Sequence, residues 1–277
     1  MLNKYNNYLD IINDNINEII NQTNVDGVEL LYKGASHHFS KRGKMLRPLI
    51  MILINEDLAG DFDTVQRFAT SLELIHNYSL IHDDLPAMDN DDFRRGLPTV
   101  HKKFSEATAV LTGDFLLTKA FEYVTDINEG IDVNYIKAIN ELAKNSNELG
   151  MLGGQFRDLN MAYLSSLENL YAMYEGKTSA LFKSSFKIPA ILLGKDQDFI
   201  NSLDEIGRLF GLYFQIRDDL DDRKEDEFIG KITIFKFLSL TEVESFLDEL
   251  YQSLILNLDK LSLYKSKELI VNLYEKK

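Results

Sequence analysis

Apolar residues recur along this chain at intervals of three and four, the spacing that puts them on one face of a helix. Leu9, Ile12, Ile16 and Ile19-Ile20 define an amphipathic helix within residues 2–22. Further helices are expected over 49–57, 64–82, 107–123, 133–148 and 198–222. In the second of these, Leu72, Ile75, Tyr78 and Leu80 fit a helical stripe better than strict alternation. Pro86 lacks the N–H that a helix interior needs and should end or kink that helix. Lys177-Thr178-Ser179 reads as the opening of a helix towards Leu193, kinked at Pro189. Residues 223–231 read as a charged loop, and 240–275 as two helices of mixed charge.

Composition narrows the picture. The chain has 277 residues, 45% of them hydrophobic, with only 4 Pro and 15 Gly, which favours long helices around one sizeable core. With no repeat of fixed period, a single all-α domain over 1–277 is the economical reading. No run reaches the roughly 18 uncharged apolar residues of a membrane span. The N-terminal stretch lacks the apolar core and cleavage site of a secretory signal. A net charge of −14 argues against nucleic acid, whose phosphates would be repelled. An anionic small molecule can still bind where metal ions or local Lys and Arg reverse the field. The absence of cysteine excludes disulfides and thiolate metal sites, and a reducing, cytoplasmic setting is the simpler expectation.

The stretch richest in candidate chemistry runs from His76 to His101. It places Asp83, Asp84, Asp89, Asp91 and Asp92 within ten residues, followed at once by Arg94 and Arg95. His76, Asp83 and Asp84 share a helical face, and the turn after Pro86 should return Asp89 towards Asp83. Such carboxylates suit Mg²⁺, which takes a few protein oxygens and completes its shell with water and phosphate. A solvated acidic loop is the plain alternative. It is weakened because like charges packed at the end of an apolar helix need a compensating cation.

Other stretches are weaker alone. Lys41, Arg42, Lys44 and Arg47 surround Gly43 ahead of Pro48, a plausible anion site at a helix start. Gly43 would there permit an unusual backbone turn. In GMLGGQFRDL the glycines imply close packing or approach to a ligand, and Gln155 and Asp158 share a face. A Lys-Thr pair at 177–178 suits a phosphate or plain capping. Gln215, Asp218, Asp219 and Asp222 form one polar face on an otherwise apolar helix, a second hard-metal half-site.

Taken together, GKMLRP, LIHNYSLIHDDLPAMDNDDFRRGLPTVH, GGQFRDL, KTS, FQIRDDLDD and GKITIF make the chain resemble the trans-isoprenyl diphosphate synthases over about residues 35–236, most closely the bacterial short-chain farnesyl diphosphate synthases. The resemblance implies an all-α bundle around a deep central cavity, one polyprenyl synthetase domain, usually a homodimer. It implies two metal motifs, Asp83, Asp84 and Asp89 with Asp218, Asp219 and Asp222, holding three Mg²⁺ ions on an allylic diphosphate. Arg94, Lys177, Thr178, Gln215 and Lys231 match contacts to that substrate. Lys44, Arg47, His76 and Arg95 match the pocket for isopentenyl diphosphate. Asp83, Asp84, Asp89, Arg94, Lys177, Asp218 and Lys231 are the implied catalytic set. Tyr78, five residues before Asp83, matches an aromatic that floors the cavity and stops growth at fifteen carbons. The implied activity is farnesyl diphosphate synthesis. Geranyl or geranylgeranyl diphosphate synthesis, or a non-catalytic subunit of a heteromeric synthase, are the alternatives. The chain departs from the pattern in a shorter segment between Asp222 and Lys231, in Arg217 before the second motif, and in Ser179 after Lys-Thr.

Overall fold

The computed structural model describes residues 2–21, 25–127 and 131–274. In chain order its helices are α1 (Asn6–Asn21), α2 (Glu29–Phe39), α3 (Leu46–Asp57), α4 (Phe62–Asp83), α5 (Val100–Lys103), α6 (Glu106–Thr125), α7 (Val133–Ser146), α8 (Met151–Asp158), α9 (Leu167–Tyr174), α10 (Ala180–Leu192), α11 (Gln197–Asp221), α12 (Arg223–Ile229), α13 (Leu240–Lys260) and α14 (Tyr264–Tyr274). The strands among the described residues are two short ones, β1 (Phe93–Arg94) and β2 (Leu97–Pro98), paired antiparallel. Local sequence explains most helix starts. The side chains of Asp61, Ser105, Asp132, Ser166, Asp196 and Ser239 each accept a backbone N–H three residues on, satisfying donors the helix leaves open.

The chain divides into two compact units, Met1–Ile52 with Asp61–Gly130, and Leu53–Gly60 with Ile131–Lys277. In the first, α4 packs against α6 and α1 and buries Val65, Phe68, Ala69, Leu72, Ile75 and Ile81. In the second, α11 packs between α10 and α13. Phe182, Phe186, Phe210 and Phe214 stack their rings there at centroid distances of 4.8–6.4 Å.

The apolar periodicity predicts α1, α3, α4, α6, α7, α11 and the α13–α14 pair correctly. Three expectations are overturned. Lys177-Thr178-Ser179 does not open a helix: the run is continuous from Leu167 to Leu192, with a π-helical turn at Glu175–Ser179, and it passes through Pro189. Residues 223–229 are helical rather than loop, closed by Gly230 in the left-handed region at φ 72°. Near the basic loop the left-handed residue is Met45, at φ 50°, not Gly43. Gly43 serves close approach instead: a Cβ there would stand 2.7 Å from the Arg95 guanidinium.

Candidate functional site

In the first unit the end of α4 sets the geometry. After Asp83 the chain turns back, and the Asp89 N–H donates to the Asp83 carbonyl at 2.8 Å. The expected return of Asp89 is therefore met by a main-chain bond. The hairpin that follows turns on Arg95 and Gly96, with φ of 53° and 74°. Two left-handed residues match the twist of paired strands and send the neighbouring arginines to different partners. Arg94 donates from Nε to Asp84 Oδ1 at 2.6 Å and from Nη2 to Asp91 at 3.3 Å. Arg95 donates to Asn77 Oδ1 at 3.3 Å and to the Lys41 carbonyl at 3.2 Å.

Asp84 is 1% exposed, and its second oxygen, Oδ2, is buried with no partner. Burial raises its pKa, and the bond to Arg94 opposes that rise. Arg47 Nη1 lies 3.4 Å from His76 Nε2. Because a guanidinium only donates, His76 accepts with a neutral ring. Burial, then the charge of Arg47, hold its pKa well below the usual histidine range. Lys44 is exposed in the same loop, whereas Arg42 is drawn outward to Asp10 at 2.7 Å. Tyr78 is buried, its ring edge-on to His82 at 5.7 Å, and burial followed by the charge of Asp83 pushes its pKa up to about 12.

The second unit gathers the other candidates around the π-helical turn. Lys177 Nζ lies 2.5 Å from Asp158 Oδ2. Thr178 Oγ1 donates to Gln215 Oε1 at 2.6 Å, and Gln215 Nε2 donates to Asp219 Oδ1 at 3.0 Å. The other Asp219 oxygen accepts from the Tyr174 hydroxyl and from the Ile234 N–H. Asp219 is thus 1% exposed and locked on protein partners, while Asp218 and Asp222 are exposed one helical turn apart. Lys231 is exposed and pairs with Asp226 at 3.3 Å, across the left-handed Gly230. Asp226 is buried, with one oxygen unpartnered. The short segment before Lys231 therefore works as a capped helix that positions a lysine. Arg217 is engaged by Asp221 at 3.4 Å, one turn along α11.

The glycines of GMLGGQFRDL serve contact. Gly154 lies against the backbone of Gly176 and Lys177, leaving no room for a Cβ. Gly154→Ala is expected to cost about 2–3 kcal/mol through overpacking, read as a lowered denaturant midpoint at unchanged slope. Gln155 Nε2 is buried with no hydrogen-bond partner within the protein.

Among the described residues no three His, Asp or Glu side chains are grouped closely enough to hold a metal ion by themselves. The donor chemistry nevertheless fits Mg²⁺. The candidates are hard carboxylate oxygens, one of them the unpartnered Asp84 Oδ2, and this ion routinely takes its remaining oxygens from phosphate and water.

Reading the sequence along the chain missed α2, α9 and a polar network on the apolar side of α4. There Glu73, Asn77 and His38 are all buried and bonded together. The signal was available: Glu73 and Asn77 stand four apart within an apolar helical stripe, where a polar pair needs partners.

Helical chains of this architecture are found among the isoprenoid synthases, one of them from Thermotoga neapolitana with a TM-score of 0.82 at 29% identity, covering 97% of this chain and 99% of that one. One solved neighbour, an FPP/GFPP synthase from Zymomonas mobilis in its apo form, superposes with a TM-score of 0.85 at 34% identity, covering 94% of each chain. The chain itself belongs to the polyprenyl synthetase family, whose profile matches residues 28–234. Farnesyl diphosphate synthase of Micrococcus luteus is 39% identical over 203 residues, 73% of this chain and 69% of that protein. A putative geranylgeranyl pyrophosphate synthase 8, chloroplastic, of Arabidopsis thaliana is 43% identical over 196 residues, 68% of this chain. The match spans only 54% of that plant protein's length.

Proposed function

We propose that the protein is a Mg²⁺-dependent prenyltransferase that joins isopentenyl diphosphate head-to-tail to dimethylallyl and then geranyl diphosphate, giving farnesyl diphosphate. The observation that carries this reading is that both half-sites have one composition. Each presents exposed or half-exposed carboxylates (Asp83 and Asp89; Asp218 and Asp222), a buried second aspartate (Asp84; Asp219), and cations alongside (Arg94; Lys177 and Lys231). Carboxylates able to take Mg²⁺, with fixed cations beside them, are what ionisation of an allylic C–O bond demands.

Asp83, Asp84, Asp89, Asp218 and Asp222 would hold Mg²⁺, three ions in the family pattern. Asp219 would contribute by fixing Gln215. Bound magnesium would neutralise the charge that builds on the departing diphosphate. Arg94, Lys177 and Lys231 stand ready to do the same from the protein side, each already kept in place by a carboxylate partner. Thr178 and Gln215, bonded to each other, would help to orient the same group. Lys44, Arg47, His76 and Arg95 would hold isopentenyl diphosphate so that its double bond meets the allylic cation, a task of positioning. The neutral His76 can still donate from its other ring nitrogen.

The curated relatives include both farnesyl and geranylgeranyl diphosphate synthases, so product length rests on Tyr78. With the phenol ring in place, growth stops at fifteen carbons. Tyr78→Ala is expected to move the main product to twenty carbons or longer, with total isopentenyl incorporation falling less than about tenfold. A homodimer and a cytoplasmic location belong to the same reading. The former is supported by Val110 and Leu111, which expose 40% and 59% of their surface on α6. No helix among the described residues is long and apolar enough to cross a membrane.

The test is incubation with Mg²⁺, isopentenyl diphosphate and either dimethylallyl or geranyl diphosphate, followed by sizing of the products. A fifteen-carbon product is expected. A longer product keeps the reaction and discards the Tyr78 floor. No product from any primer with folded protein favours the non-catalytic subunit.

A further inference from the structure

We propose that Asn77, backed by Glu73 and His38, is a positioning residue that aims Arg95 into the isopentenyl diphosphate pocket. The inference rests on the function proposed above.

Arg95 is an unusual residue on which to build an anion contact. It sits in the left-handed region at φ 53°, a conformation that costs a non-glycine residue strain and persists only when its surroundings fix it. Those surroundings are visible. The guanidinium lies on Gly43 where any side chain would collide, and it donates to the Lys41 carbonyl and to Asn77 Oδ1. Of these contacts, Asn77 alone reaches it from the helical core, and Asn77 is fully buried.

The Asn77 amide has one orientation. Its Nδ2 donates to the Glu73 carbonyl and to Glu73 Oε1, both at 2.8 Å. Its Oδ1 accepts from His38 Nε2 at 2.9 Å as well as from Arg95. A flipped amide would set its N–H groups against the Arg95 guanidinium and its oxygen against the Glu73 oxygens, losing those three bonds. His38 must then carry its proton on Nε2. Burial, followed by the charge of Arg95, keeps that ring neutral, with a pKa of about 3. Glu73 is 2% exposed, and its Oε2 has no hydrogen-bond partner. Burial raises its pKa, and the bond from Asn77, then the charges of Arg47 and Arg95, two of the four residues assigned to this pocket, oppose that rise. Glu73 thus anchors the amide, Asn77 supplies the geometry, and His38 the lock on Asn77. None of the three needs to touch substrate.

The test uses the full chain and steady-state kinetics with each substrate varied in turn. Asn77→Leu fills the space and removes both ends of the relay. Its KM for isopentenyl diphosphate is expected to rise about ten- to a hundredfold, the worth of one hydrogen bond to a charged group, while kcat and the KM for the allylic primer stay within about twofold. His38→Leu should show a smaller rise in the same constant. His38→Gln, which keeps an N–H donor, should restore the wild-type value. Equal shifts in both KM values, or no shift for isopentenyl diphosphate, would overturn the assignment. If Asn77→Leu does not fold, as judged by its thermal melt, the His38 pair decides, and equal KM values for Leu and Gln overturn it. Should the wild type lack turnover but bind isopentenyl diphosphate in a titration calorimeter, the same comparison is made on Kd. A wild type that neither turns over nor binds it overturns the proposed function, and this assignment with it.

Discussion

Asp83→Ala is expected to lower kcat/KM by roughly a hundredfold to a thousandfold, the scale for losing one fixed electrostatic element that acts on charge developing in a transition state. Asp83 occupies the last position of α4, where the main-chain bond from Asp89 closes the turn and keeps two of the first motif's carboxylates on one short loop. Removing one carboxylate leaves that backbone turn intact, because the turn is held by N–H and C=O groups. The protein should therefore melt within about 1 kcal/mol of wild type, as expected for a side chain that is not in the core. The discriminating measurement is a Mg²⁺ titration monitored by thermal stability in the presence of inorganic diphosphate, alongside the kinetics. Wild type should gain stability as metal and diphosphate bind together, by mass action, and Asp83→Ala should gain much less. Normal turnover in the variant would sink the metal assignment.

How much of this was legible in the chain differs from element to element. The long amphipathic helices and both Asp-rich motifs follow from periodicity, because a buried face must repeat with the helical turn and a polar cluster breaking that repeat stands out. The return of Asp89 to Asp83 follows from Pro86, which cannot continue the helix. What could not be read was which way polar side chains face. Asp84 and Asp219 have the same letter as their neighbours, yet each is buried and committed to protein partners, Arg94 in one case and Tyr174, Gln215 and Ile234 in the other. Apart from Gln215, one turn before Asp219, their partners come from ten or more residues away in sequence, so no local pattern announces them. The π-helical turn at Lys177 was also hidden. It inserts one residue per turn into a run whose apolar spacing otherwise looks like the start of a helix. Residues 223–229 looked like loop because they are charged. They fold as helix because Gly230 can take the left-handed cap that closes it.

The burial of Asp84 makes a second large effect accessible, this one on stability. Arg94→Leu leaves a carboxylate that is 1% exposed without its cation, and breaking a buried pair from one side costs about 3–5 kcal/mol. The expected result is a large drop in denaturant midpoint, measured without metal or substrate so that neither can replace the lost charge. Asp84→Asn should cost far less alone, since it removes the charge that burial penalises. The double variant should recover most of what Arg94→Leu loses, with a coupling of about 2–3 kcal/mol between the two sites. The pH dependence has a definite sign. Burial already raises the pKa of Asp84 above its unfolded value, and loss of Arg94 removes the interaction that opposes the rise. A carboxyl shifted upward contributes its stability below the unfolded pKa and loses it as pH rises through the folded one. Arg94→Leu should therefore approach the wild type in stability as pH falls towards about 4 and diverge from it towards neutrality. A pH-independent loss, or a double variant no better than Arg94→Leu alone, would mean that Arg94 stabilises through packing rather than by compensating Asp84. The same pair ties stability to chemistry. An ionised Asp84 is what a Mg²⁺ ion would require, and the bond from Arg94 favours that form against the burial that opposes it.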